Sequence, residues 1–202
     1  MKFTKAWFSA LAAVLLLMAA TALPAFGQAA HVRWDIISVN FVAPFTTSAG
    51  GIASATASDG SHITLTGSGT FVAPAGGDGT SSATTGGGTW ALFASGATTP
   101  SATGTYAVTG LVRWEPAPFP PAGPPPRTDL IDPTAQRSTG LAVLRITYSD
   151  GERGILVVAC EGVTSPPNMF EGVTASKGFV DYKSPVPPVG GVDANRTLFH
   201  IE

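Results

Sequence analysis

One cysteine, three histidines and a scatter of carboxylates are the residues here that could do chemistry. A catalytic thiol needs a nearby base and an electropositive, partly exposed setting that makes thiolate. Cys160 ends an apolar run in "RGILVVACEG", residues 153–162, with Val158, Ala159 and Glu161 as neighbours. Apolar neighbours and an adjacent carboxylate raise a thiol pKa instead. Cys160 therefore reads as a structural thiol in or under a core. The alternative is one half of an intermolecular disulfide, because the residue lies near a strand end followed by "EGVTSPPNMFEG". His31, His62 and His200 lack the spacing of an HxH or HExxH metal site. No EF-hand pattern, phosphate-binding loop or cysteine pair is present, so neither a metal nor a cofactor is expected.

Serine and carboxylate chemistry find little support. "TGSGT" at 66–70 lacks the G-x-S-x-G spacing and falls inside a strand pattern, not at a strand-to-helix turn. Acid–base work on a glycosidic bond needs paired carboxylates. Asp150 and Glu152 belong to a turn, which leaves Glu161, Glu171 and Asp181 as the nearby set. In "SKGFVDYK" Asp181 shares a strand face with Phe179 and Lys177, and an inward Asp–Lys pair would be costly to bury and would mark a site. The plainer expectation is a polar outer face. No residue is assigned as catalytic.

The elements that must carry these side chains are strands. Past the first thirty residues no apolar 3.6-residue period survives the glycines, prolines and β-branched residues; period-2 segments recur instead. "SHITLTGSGTFVAP" places Ile63, Leu65, Gly67, Gly69 and Phe71 on one face, with Thr64, Thr66, Ser68 and Thr70 on the other. "GTYAVTGLVRWEP" alternates Tyr106, Val108, Val112 and Trp114 with Thr105, Thr109, Arg113 and Glu115. Further strands are expected in "WDIISVNFV", "GGTWALF", "EGVTASKGFVDYK" and "NRTLFHIE". Asp150-Gly151 separates two β-rich runs, the signature of a two-residue type I′ turn. That turn would pair Ile146 with Ile155, Leu144 with Val157 and Ala142 with Ala159 as the core face. Leu141 would then meet Cys160 on the opposite face, and a dimer would follow if nothing covers it. Gly69-Thr70-Phe71, Gly88-Thr89-Trp90 and Gly104-Thr105-Tyr106 repeat a motif at intervals too uneven for a solenoid. Glycines that let curved strands bend, with an aromatic filling the space inside, explain it.

Composition and the chain's first residues bound the rest. Lys2 and Lys5, the apolar "WFSALAAVLLLMAA" and the small residues of "ALPAFGQAA" make residues 1–27 a cleavable signal peptide. The apolar core is short for a span of about 20 residues, so no membrane span is expected in the mature protein. Residues 28–202 then form one secreted or periplasmic domain. The formal charge of −2 and the eleven scattered basic residues disfavour nucleic acid as a partner. Charged residues are 12% of the chain, so its surface must be built from hydroxyls and small side chains. The proline-rich stretch 115–127, "EPAPFPPAGPPPR", is expected as an extended loop around that domain.

Taken together, "GSGTF", "GGGTW", "GLAVLRITYSDGERGILVVACEG" and "SKGFVDY" resemble uncharacterised exported bacterial β-proteins over about residues 60–182. That resemblance implies no activity. The glycine-rich curved strands are more distantly similar to dirigent and allene-oxide-cyclase type barrels, which implies a barrel. Gly88-Thr89-Trp90 also matches the G-x-W of lipocalins, where the motif opens the first strand; here two strands precede it.

The expectation is an all-β domain, a single antiparallel barrel of about eight up-and-down strands, with a β-sandwich as the alternative. Its function would be non-enzymatic: binding a small apolar ligand in an interior lined by Phe71, Trp90, Tyr106, Trp114 and Asp181, or acting at a cell surface. A barrel isomerase or cyclase using Asp181 or Glu161 is one alternative, and a structural protein is another. The protein would be a monomer or weak dimer.

Overall fold

β-branched and aromatic residues alternating with Thr, Ser and Gly give the chain strands and no helix among the described residues. The computed structural model describes residues 29–74, 80–117, 127–163 and 165–202. The expected signal peptide and most of the proline-rich stretch lie outside them. In chain order the strands are β1 (His31–Asn40), β2 (Thr46–Ala49), β3 (Ala53–Thr56), β4 (His62–Leu65), β5 (Ser68–Val72), β6 (Thr84–Phe93) and β7 (Ala102–Ala117). They continue with β8 (Thr128–Asp129), β9 (Gln136–Tyr148), β10 (Arg153–Cys160), β11 (Gly172–Lys177), β12 (Val180–Tyr182), β13 (Ser184–Pro185) and β14 (Gly191–Ile201).

Six of these close into an antiparallel barrel in the order β1–β5–β6–β7–β9–β14, with β14 returning to β1. The expected eight-stranded up-and-down barrel is thus a six-stranded one with eight outer strands. The difference arises because β6 and β9 are long enough to change partners along their length. β6 pairs with β5 through Thr84–Gly87 and with β4 through Trp90–Phe93. β9 pairs with β14 through residues 136–138 and with β10 through residues 140–147. From these branch points β4–β3–β13 and β10–β11–β12 extend outward, and β3 lies against β11 in a sandwich-like second half.

The core accordingly has two aromatic centres. Inside the barrel the Trp114 ring lies 5.4 Å from Phe71 and 4.6 Å from Phe199, beside the fully buried Trp34. In a second group the Tyr148 ring lies 5.8 Å from Trp90 and 6.4 Å from Tyr106. Tyr106 and Trp90 each tie down a carbonyl: the Tyr106 hydroxyl donates to Thr66 O at 2.8 Å and Trp90 Nε1 to Thr105 O at 3.0 Å. The glycines of the repeated motif stand where strands approach too closely for a side chain. A Cβ on Gly69 would lie 2.2 Å from Thr85 O, on Gly88 1.9 Å from Thr66 O, and on Gly104 2.9 Å from the Trp90 ring.

Two local expectations are corrected. The β9–β10 turn has three residues, Ser149–Gly151, closed by Tyr148 N–H donating to Glu152 O at 2.8 Å, with Gly151 at φ 90°. This is a type I turn with a left-handed third residue, and it moves the register by one. Leu156 faces Leu144, Val158 faces Ala142 and Cys160 faces Gly140. A one-residue slip carries a whole strand to its other face, so Leu156, Val158 and Cys160 point into the core. On β7, bulges at Thr109 and Val112 shift the alternation, and Leu111 takes the buried place expected of Val112. The strand also runs to Ala117, so the expected strand and the start of the proline-rich stretch overlap, with Glu115 and Pro116 paired to Leu141 and Gly140.

Candidate functional site

Of the expected interior residues, Phe71, Trp90, Tyr106 and Trp114 are all buried in one hydrophobic core, Phe71 against Trp114, and Trp90 and Tyr106 each against Tyr148. Asp181 is not part of it. Gly178-Phe179 forms a two-residue turn joining β11 to β12, with Gly178 at φ 57° in the first central position. Lys177 consequently points inward, whereas Phe179 and Asp181 stand exposed. The expected inward Asp181–Lys177 pair is corrected on this point.

The partners of Lys177 come from the neighbouring hairpin. Its ammonium donates to Asp150 and Glu152 and sits 4.6 Å from the Trp90 ring centroid and 4.9 Å from that of Tyr148. Burial lowers the lysine pKa, but the two carboxylates more than offset it, and the net direction is upward. Such an ammonium stays charged and cannot serve as a nucleophile or base. It joins the tips of the β9–β10 and β11–β12 hairpins.

Of the three carboxylates the sequence groups, Glu161, Glu171 and Asp181, Glu171 is the buried one. Burial pushes its pKa up to about 7, against the pull of two backbone donors. Those donors are Thr197 N–H at 2.8 Å and Glu161 N–H at 2.6 Å, and they fasten the β10–β11 connection onto β14. Cys160 is close enough to feel its charge, and burial drives the thiol pKa upward. A thiol so placed makes no thiolate. A third buried group is His200, whose Nε2 lies 2.8 Å from Asp129 Oδ2. An Asp–His pair orients an imidazole for nucleophilic catalysis when the other nitrogen meets a hydroxyl or thiol. Here Nδ1 is buried without a partner, so no nucleophile is in place. Among the described residues no three His, Cys, Asp or Glu side chains converge as a metal would need.

What the strands do assemble is a face. On β4, β6 and β7 the inward Ile63, Leu65, Trp90 and Tyr106 are buried, which turns Thr64, Thr66, Thr89, Thr103 and Thr105 outward. Cross-strand pairing arranges these in rows: Thr64–Ala91–Thr103 and Thr66–Thr89–Thr105. Residues on one face repeat about every 6.7 Å along a strand, and neighbouring strands lie about 4.8 Å apart. Thr66 and Thr89 share a hydrogen bond of 2.7 Å, as do Thr70 and Thr85 at 2.8 Å. At the end of the rows His62 and Phe93 stack with ring centroids 4.4 Å apart and planes 3° from parallel. A groove of about 440 Å3 runs over this face, bordered by Ile52. The patterning of "HITLTGSGT" already put Thr64, Thr66, Ser68 and Thr70 on a wet face; what it lacked was the neighbouring strands that turn one row into several.

Comparison with protein-family models, with curated proteins and with solved structures finds no match.

Proposed function

We propose that this is an exported, non-enzymatic binding protein that acts at a cell surface through the outer face of β4, β6 and β7. Its ligand there is neutral and hydroxyl-rich, a glycan chain. The observation that carries the reading is the pair of threonine rows ending on the stacked His62–Phe93 pair. Each hydroxyl both donates and accepts, as sugar hydroxyls do. The threonine methyls and the flat rings suit the apolar C–H faces of a pyranose. No charged side chain stands in these rows, which favours an uncharged ligand.

The barrel interior supports the same shift of attention. Phe71, Trp114 and Phe199 occupy it with their rings in contact, and the threonine groove lies outside it. A small apolar ligand, the interior occupant expected from sequence, has one external place in its favour. This is a groove of about 330 Å3 between Pro116, Ala117 and Leu141 on one side and Pro166, Pro167 and Met169 on the other.

Co-sedimentation of the mature protein with insoluble cellulose, chitin and xylan tests the glycan reading. Retention on at least one of them, weakened about tenfold or more by Thr105→Lys, is the expected result. Absence of binding to all three, or equal binding by the variant, removes the reading. A fluorescent apolar probe displaced by Leu141→Arg, with glycan binding unchanged, would move the function to the second groove.

A further inference from the structure

We propose that Arg127 and Arg196, which converge on the ring of Phe41, form a binding site for an oxyanion: a phosphate or carboxylate group with two oxygens to offer two guanidiniums. The site is independent of the threonine face.

The arginines of this chain differ in how they are neutralised. Arg33 is clamped to Asp35 through contacts of 2.8 and 2.9 Å, and Arg113 to Glu115 at 2.7 Å. Arg127 and Arg196 make no ion pair among the described residues. Their Cζ atoms lie 4.4 Å and 5.2 Å from the Phe41 ring centroid, so one phenyl ring gathers two cations. A ring quadrupole attracts each cation, but it does not cancel the repulsion between them. The pKa of Arg127 is lowered by burial first and by the charges of Arg196 and Arg137 next, which reflects that crowding.

Two further facts point to a ligand. Arg196 Nε is buried with no hydrogen-bond partner, a costly state for a charged donor. The opposing charge that both arginines feel, Glu171, already gives its two oxygens to the backbone N–H groups of Glu161 and Thr197. Two planar donor forks without a carboxylate are matched by a group whose oxygens share a negative charge. Phe41 is 39% exposed, so the ring that positions the forks also opens to solvent.

The test is thermal unfolding of the mature protein titrated with sodium phosphate, and separately with sodium acetate, against sodium chloride at equal ionic strength. Saturable stabilisation of about 3–6 °C at concentrations well above Kd is expected from at least one of the two. The arm that responds identifies phosphate or carboxylate as the group. Arg127→Gln should abolish the shift, while Arg153→Gln, an exposed arginine elsewhere, should leave it intact. Phe41→Leu, which keeps both charges but removes the ring that gathers them, should raise the apparent Kd several-fold. Equal responses to phosphate, acetate and chloride, or a shift that survives Arg127→Gln, overturns the proposal.

Discussion

Leu156 stands opposite Leu144 across the β9–β10 ladder, one place away from the partner a two-residue turn would give it. That single step puts Cys160 on the core face, where it is 4% exposed.

The thiol should therefore be silent in the folded protein. A disulfide exchange reagent is expected to titrate no thiol under native conditions and one after unfolding in guanidinium. Non-reducing electrophoresis should show a monomer. Rapid native labelling, at a rate unrelated to unfolding, would contradict the burial of Cys160.

Lys177 should reveal an asymmetry between removing a buried cation and stranding it. Lys177→Met keeps the packing against Trp90 and Tyr148 and leaves Asp150 and Glu152 free to take up water, since both carboxylates are partly exposed. The double change Asp150→Asn, Glu152→Gln leaves the buried ammonium without a counter-charge. Urea midpoints should rank wild type first, Lys177→Met next and the double variant last. A double variant as stable as Lys177→Met would show that the carboxylates contribute little.

Glu171 predicts how stability follows pH. Its carboxyl titrates near 4.5 in the unfolded chain and near 7 in the folded one, so the folded state holds the proton more tightly between those values. Stability from this group is full below about pH 4.5 and falls as pH rises through 7, by about 3 kcal/mol in all. Glu171→Gln, which keeps one acceptor oxygen but turns an NH2 group toward the other backbone N–H, should flatten that slope at some cost in overall stability. Unfolding free energies measured from pH 5 to 8 on both proteins check the sign.

Gly88 should tolerate no side chain. A Cβ there would lie 1.9 Å from the Thr66 carbonyl, where β6 passes β4. Gly88→Ala is expected to cost about 3 kcal/mol or more, through forced separation of the strands. Gly96→Ala has open space but a φ of 72°, and should cost about 1 kcal/mol. Denaturant midpoints of the two variants distinguish crowding from backbone strain.

Local alternation made much of this fold legible. Ile63, Leu65, Phe71, Tyr106, Val108 and Trp114 are buried where period-2 patterning put them. What escaped were features that need a second strand or a turn conformation. Asp150-Gly151 suits both a two-residue turn and the last positions of a three-residue one, and only the closing hydrogen bond from Tyr148 to Glu152 tells them apart. The bulges on β7 come from the long partner β9, with no marker at Thr109 or Val112. Gly178-Phe179 alternates like strand, which sets Asp181 four residues on along the Lys177 face, whereas the chain turns back there. Glu171 opens the expected strand "EGVTASKGFVDYK", and what marks it as buried is Thr197 of β14, 26 residues on. The branching of β6 and β9 is likewise a property of length and curvature across the sheet, and it made a six-stranded barrel out of an expected eight.

The barrel closes where β1 meets β14: Val32 pairs with Ile201, and Glu202 N–H donates to His31 O at 2.9 Å. Strands from opposite ends of the sequence thus complete each other, and β1 keeps an open edge until β14 arrives. The loop to be closed spans nearly the whole domain, so its entropy must be lost before the seam rewards it. Closure of the barrel accordingly waits until the residues around 200 are free to move. A ribosome-tethered chain lacking β14 would leave Trp34 beside an unfinished wall, and the seam makes the final strand the latch on the barrel.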